Sequence, residues 1–139
     1  MNEGQRAVRL LNGGTLAVVN GERAQVFCER GIKALMGILH SDASLLDGAS
    51  VADKVVGKAA ALLMIKGGVK EVYAELISSR AEEVLRAHGV SLSYGDKCER
   101  IVNRAGDGFC PMESAVWDTE DPDEAYILLE KAVKNMAKK

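Results

Sequence analysis

Lys54 and Lys58 lie four residues apart with Gly57 between them, and in this 139-residue chain they form the pattern best suited to hold an anion. On a helix that spacing places both ammonium groups on one face. A glycine there leaves room for a ligand or another backbone. Asp53, just before Lys54, can cap the helix, orient a ribose hydroxyl or act as a nucleophile. A second group is Asn103 and Arg104 in the run Asn103-Arg104-Ala105-Gly106-Asp107-Gly108, followed by Cys110-Pro111 and Glu113. A glycine-rich turn with an arginine can bind an anion, and a thiol at a helix start is acidified. The run lacks the G-K-[ST] ending of a phosphate loop. Ser78 and Ser79 are cap candidates that could also line a pocket. Structural readings stand beside each of these. The lysines can extend from a largely buried helix, Gly57 can serve packing, and Cys110 with Glu113 can form a cap and capping box. Trp117 and Tyr73 read as packing or interface residues.

Metal chemistry has little to build on. The histidines His40 and His88 are isolated, and Cys28, Cys98 and Cys110 include no C-x-x-C pair. No three-ligand zinc pattern can be assembled from neighbouring residues, so no metal ligand is assigned. The odd, scattered cysteines read as reduced thiols of a cytoplasmic protein. The net charge of −2 gives no basic excess, which speaks against nucleic-acid binding. No apolar run approaches the roughly 20 residues needed to span a bilayer, and the start of the chain lacks a signal-peptide layout.

The elements that must position these groups follow from periodicity. Glu3–Leu11 predicts a first helix. Thr15–Val19 and Arg23–Phe27 predict a hairpin about Asn20-Gly21. Gly31–His40 has helical spacing. Asp53–Ile65 is apolar over most of its circumference and predicts a buried helix stopped at Gly67-Gly68. Glu71–Ile77 predicts a strand, and Ser78 or Ser79 would cap a helix over Arg80–Ala87. Val90–Tyr94 predicts another strand, Gly95-Asp96-Lys97 a turn, and Glu99–Asn103 a possible last strand. Helices begin at Cys110-Pro111 and Asp121-Pro122, the second with Ala125, Leu128, Leu129, Ala132 and Met136 on its apolar face. We expect one domain over residues 1–139, an α/β fold whose mixed sheet of about five strands is covered by helices on both faces.

This layout resembles the cytidine deaminase-like fold. The segments VADKVVGKAAALLMIKGGVKEVYAELIS (residues 51–78) and IVNRAGDGFCPMESAVWD (residues 101–118) are similar to a small prokaryotic family known only as a domain of unknown function. The resemblance implies the deaminase scaffold and argues against its chemistry. Zinc deaminases carry H-x-E at one helix start and P-C-x-x-C at the next. Here Asp53 and Val55 stand at the first motif, and Ser78 and Ser79 at the second. The expected ligand is a small nucleotide or phosphate-bearing nucleoside derivative, such as ADP-ribose. Asp53, Lys54, Gly57 and Lys58 would form one wall, and Asn103, Arg104 and Cys110 the other. The alternatives are an enzyme transferring a nucleosidyl or ADP-ribosyl-type group through Asp53, and a homo-oligomeric interaction protein with a vestigial cleft.

Overall fold

The computed structural model describes residues 2–29, 32–99 and 110–137. Asn2 opens helix α1 (Glu3–Leu10) with a reciprocal capping box: its side chain accepts from the Gln5 amide, and the Gln5 side chain accepts from its own. The hairpin follows as β1 (Leu16–Asn20) and β2 (Arg23–Phe27). Asn20 pairs with Arg23, so the two turn residues are Gly21 and Glu22, one position later than expected. Gly21 has φ +61, a left-handed conformation that glycine adopts without strain. The Asn20 side-chain amide donates to the carbonyls of Leu45 and Asp47, at 3.0 and 2.8 Å, tying the hairpin end to the loop after α2 (Lys33–Ser41).

Next come β3 (Ser50–Val56), α3 (Lys58–Gly67), β4 (Glu71–Ser78), α4 (Ser79–Ala87) and β5 (Ser91–Cys98). Helices α5 (Pro111–Ala115) and α6 (Pro122–Ala137) complete the described chain. The strand order is β2-β1-β3-β4-β5. β1 runs antiparallel to both β2 and β3, whereas β3, β4 and β5 are parallel. The sheet is therefore mixed, five-stranded and flanked by helices. Ala7 and Leu11 pack with Ala17, Val19 and Ala52 in a small core on one face. The larger core holds Leu16, Val18, Val51 and Val72 with Leu35, Leu62, Leu63, Leu85 and Leu129 from the helices.

Two expectations need correction. The helix predicted over Asp53–Ile65 is two elements: a strand to Val56, then a helix from Lys58. β3 lies between β1 and β4 and is buried on both faces for its first four residues, so Val51, Ala52, Val55 and Val56 show no alternation of apolar and polar positions. Such a run matches a buried helix as well as a buried parallel strand. The turn predicted at Gly95-Asp96-Lys97 is instead the second half of β5. β5 is an edge strand, where exposed charges are tolerated and discourage further pairing. The strand predicted at Glu99–Asn103 is not seen at Glu99, and from residue 100 onward it lies outside the described residues.

Candidate functional site

The carboxyl ends of β3 and β4 lead directly into α3 and α4, the place where open α/β sheets bind ligands. Gly57 occupies the N-cap position of α3 and has no side chain with which to cap it. The cap comes from Glu113 on α5. Its two carboxylate oxygens accept from the backbone amides of Lys58 and Ala59, each at 2.8 Å. A Cβ on Gly57 would lie 2.5 Å from a Glu113 oxygen, so the glycine makes room for this carboxylate. Burial raises the Glu113 pKa, while the Ala59 and Lys58 amides and the Lys58 charge pull it down; the net direction is upward.

Lys58 is fully buried. Its Nζ donates to the Trp117 carbonyl at 2.9 Å and to Glu120 Oε1 at 3.0 Å. Above it, the Arg80 guanidinium lies 3.7 Å from the centroid of the Trp117 ring, in the first turn of α4. A positive charge there opposes the helix dipole, and stacking on an aromatic face offsets that cost. A cavity of about 310 Å³ opens beside this cluster, lined by Lys58, Arg80, Glu83, Val84, His88 and Glu120 among others. His88 Nδ1 bonds the Val84 carbonyl at 3.0 Å, which leaves Nε2 as the other polar atom of the ring.

The residues singled out from the sequence are distributed differently from the expectation. Asp53 does not cap a helix. It lies within β3, opposite Leu16 and Ala74, and cross-strand partners share a face, so its carboxyl turns toward the larger core. It is 8% exposed, and one oxygen accepts from the Val55 amide at 3.3 Å. Desolvation raises its pKa to about 7 against the pull of the Val55 and Lys54 amides. Lys54 is also in β3, so it shares no helix face with Lys58; that pairing rested on the helix the strand replaces. Gly57 and Lys58 do meet at a helix start, but the anion there is the protein's own Glu113.

Ser78 caps α4, accepting from the Ala81 amide at 3.2 Å, and Ser79 Oγ donates to the Cys98 carbonyl at 3.3 Å. Cys110 sits at the N-cap of α5 without a side-chain cap bond, and Glu113 reaches α3 rather than completing a capping box. Asn103 and Arg104 lie outside the described residues. Among the described residues no three His, Cys, Asp or Glu side chains gather closely enough to hold a metal ion, and no helix is long and apolar enough to cross a membrane.

Arg80, Glu120 and His88 were missed by sequence reasoning. Arg80 had left a signal, a cation in the first turn of a predicted helix. Glu120 and His88 had left none. A second cavity, of about 300 Å³ between α1 and the sheet, is lined by Glu71, Tyr73 and Ser93 with no basic side chain among the described residues.

The profile of the family described as TM1506, domain of unknown function (DUF1893), matches residues 6–133. The chain belongs to the DUF1893 family. A solved structure of a DUF1893 protein, TM1506 from Thermotoga maritima, is similar to it at 29% identity with a TM-score of 0.82. That match covers 91% of this chain and 88% of the other. Comparison with curated proteins finds no match. The matched residues include every described element that builds the site.

Proposed function

We propose that this DUF1893 protein binds a small phosphate-bearing, nucleoside-like ligand in the cavity between α4 and the turn over residues 117–120. The scaffold is read as cytidine deaminase-like. Its two helix starts carry Gly57-Lys58-Ala59 and Ser78-Ser79-Arg80, which offer neither histidine nor cysteine to a metal. The observation carrying the reading is the cavity itself. Three basic side chains, Lys58, Arg80 and His88, line it beside a tryptophan already stacked on Arg80. The planar Arg80 guanidinium suits a phosphate, and the aromatic ring beside it suits a base. At about 310 Å³ it lies at the small end of ligand pockets, sized for a nucleoside monophosphate more than for a dinucleotide. An ADP-ribose would leave part of itself in solvent.

The test is calorimetric titration of AMP, ADP-ribose and inorganic phosphate. Arg80→Ala and His88→Gln should each weaken binding by about one decade, and Lys54→Ala should leave it unchanged. Absence of binding to the wild type, or equal binding by all variants, would refute the site.

A further inference from the structure

Lys58 and Glu120 form an unequal pair. The lysine side chain is 0% exposed, whereas the Glu120 side chain that meets it is 69% exposed. Both line the same cavity. The ammonium has three hydrogens; one goes to the Trp117 carbonyl at 2.9 Å and one to Glu120 at 3.0 Å. The two acceptors differ in kind. The carbonyl is fixed in the backbone beside α5, while the carboxylate sits on an exposed side chain in the turn before α6. A buried ammonium requires a counter-charge. An exposed carboxylate that supplies it is solvated and can be exchanged at modest cost.

We propose that Glu120 is a built-in gate: its carboxylate occupies the anion position on Lys58 until an incoming carboxylate or phosphate oxygen displaces it. The proposal rests on the cavity being the ligand site and adds its regulation. Arg80 and His88 stand on the same cavity wall and would hold the remainder of the anion, and Glu83 on that wall repels a dianion placed too far along α4. The exchange forms no covalent bond; one charge-assisted hydrogen bond replaces another. Ligand binding therefore frees the Glu120 side chain. The Trp117 carbonyl stays on Lys58, so the turn remains attached while its exposed corner swings.

Two readouts separate the gate from the ligand. Glu120→Gln keeps an oxygen acceptor for Nζ and removes the competing charge. Removing an occupied state raises apparent affinity by the reciprocal of the fraction formerly open, so AMP and inorganic phosphate should bind this variant about three- to tenfold more tightly. Glu120→Ala opens the cavity mouth, so Lys58 should be acetylated by an N-hydroxysuccinimide ester faster than in the wild type. Peptide mass spectrometry would read this with the exposed Lys70 as internal reference. Far-ultraviolet circular dichroism and melting of both variants report whether the fold is kept, and Glu120→Gln carries the test if Glu120→Ala unfolds. Weaker or unchanged AMP binding by Glu120→Gln overturns the proposal, as does Lys58 acetylation at the wild-type rate in a folded Glu120→Ala. If neither protein binds AMP or phosphate, the ligand reading falls and the gate with it; a wild type that binds while Glu120→Gln binds no better overturns the gate alone.

Discussion

Asp53 carries the clearest consequence for pH. Its folded pKa is about 7, against 3.8 for an ordinary aspartate. The folded state therefore holds this proton more tightly than the unfolded chain does. The resulting stability is fully present below about pH 4 and is lost as pH rises toward the folded value, after which the cost of a buried carboxylate is complete. Glu113 is shifted in the same direction by burial and reinforces the slope. The full Asp53 effect is on the order of 4 kcal/mol as an upper bound. Asp53→Asn keeps an acceptor for the Val55 amide and removes the charge. Urea denaturation at pH 8 should find this variant more stable than wild type, with the gap narrowing as pH falls and closing by about pH 4. A gap independent of pH would mean that Asp53 ionises normally.

At the scale of elements, the start of α3 separates what sequence could convey from what it could not. Gly57 and Lys58 were legible as unusual residues, but they were placed inside a helix begun at Asp53, with a ligand as the expected anion. The anion's identity was not legible, because Glu113 lies 55 residues from Lys58 and approaches only through the fold. The helix predicted from Asp53 failed for a related reason. Neighbouring strands on both sides bury Val51, Ala52 and Asp53, and pairing of that kind leaves no mark in local periodicity. By contrast, α4 with its Ser78 cap and the β1–β2 hairpin were legible, because their determinants are local. The corrected picture changes what Gly57→Ala does. In the helix interior expected from the sequence it would be favourable. Here the new methyl collides with the Glu113 carboxylate and disturbs two buried amide bonds. We expect Gly57→Ala to destabilise by about 1–3 kcal/mol. Glu113→Ala should cost a similar amount by leaving those amides without their acceptor. The double variant should fall short of the sum, because both changes act on one contact. Chemical denaturation of the three proteins checks this, and strict additivity would argue against the contact.

For the whole molecule, a mixed sheet flanked by helices was legible in the alternation of strand and helix patterns, although its central strand β3 was read as helix and a fifth strand was sought beyond β5. The placement of α5 and the turn after it was not legible. It depends on two long-range fastenings, Glu113 to the α3 amides and Lys58 to the 117–120 turn. These fastenings have a meaning in time as well as in space. A contact spanning 55 residues closes a long loop, and loop closure is paid in chain entropy before the contact returns anything. The β3–α3–β4 unit can assemble without it. Glu113 should therefore dock after the rate-limiting step of folding, and its loss should leave that step untouched. In stopped-flow measurements, Glu113→Gln should refold at nearly the wild-type rate and unfold faster, so that the whole stability change appears in the unfolding limb. A slowed refolding limb would instead place α5 in the folding nucleus. The 55-residue loop between Lys58 and Glu113 would then have to close before the sheet is secure.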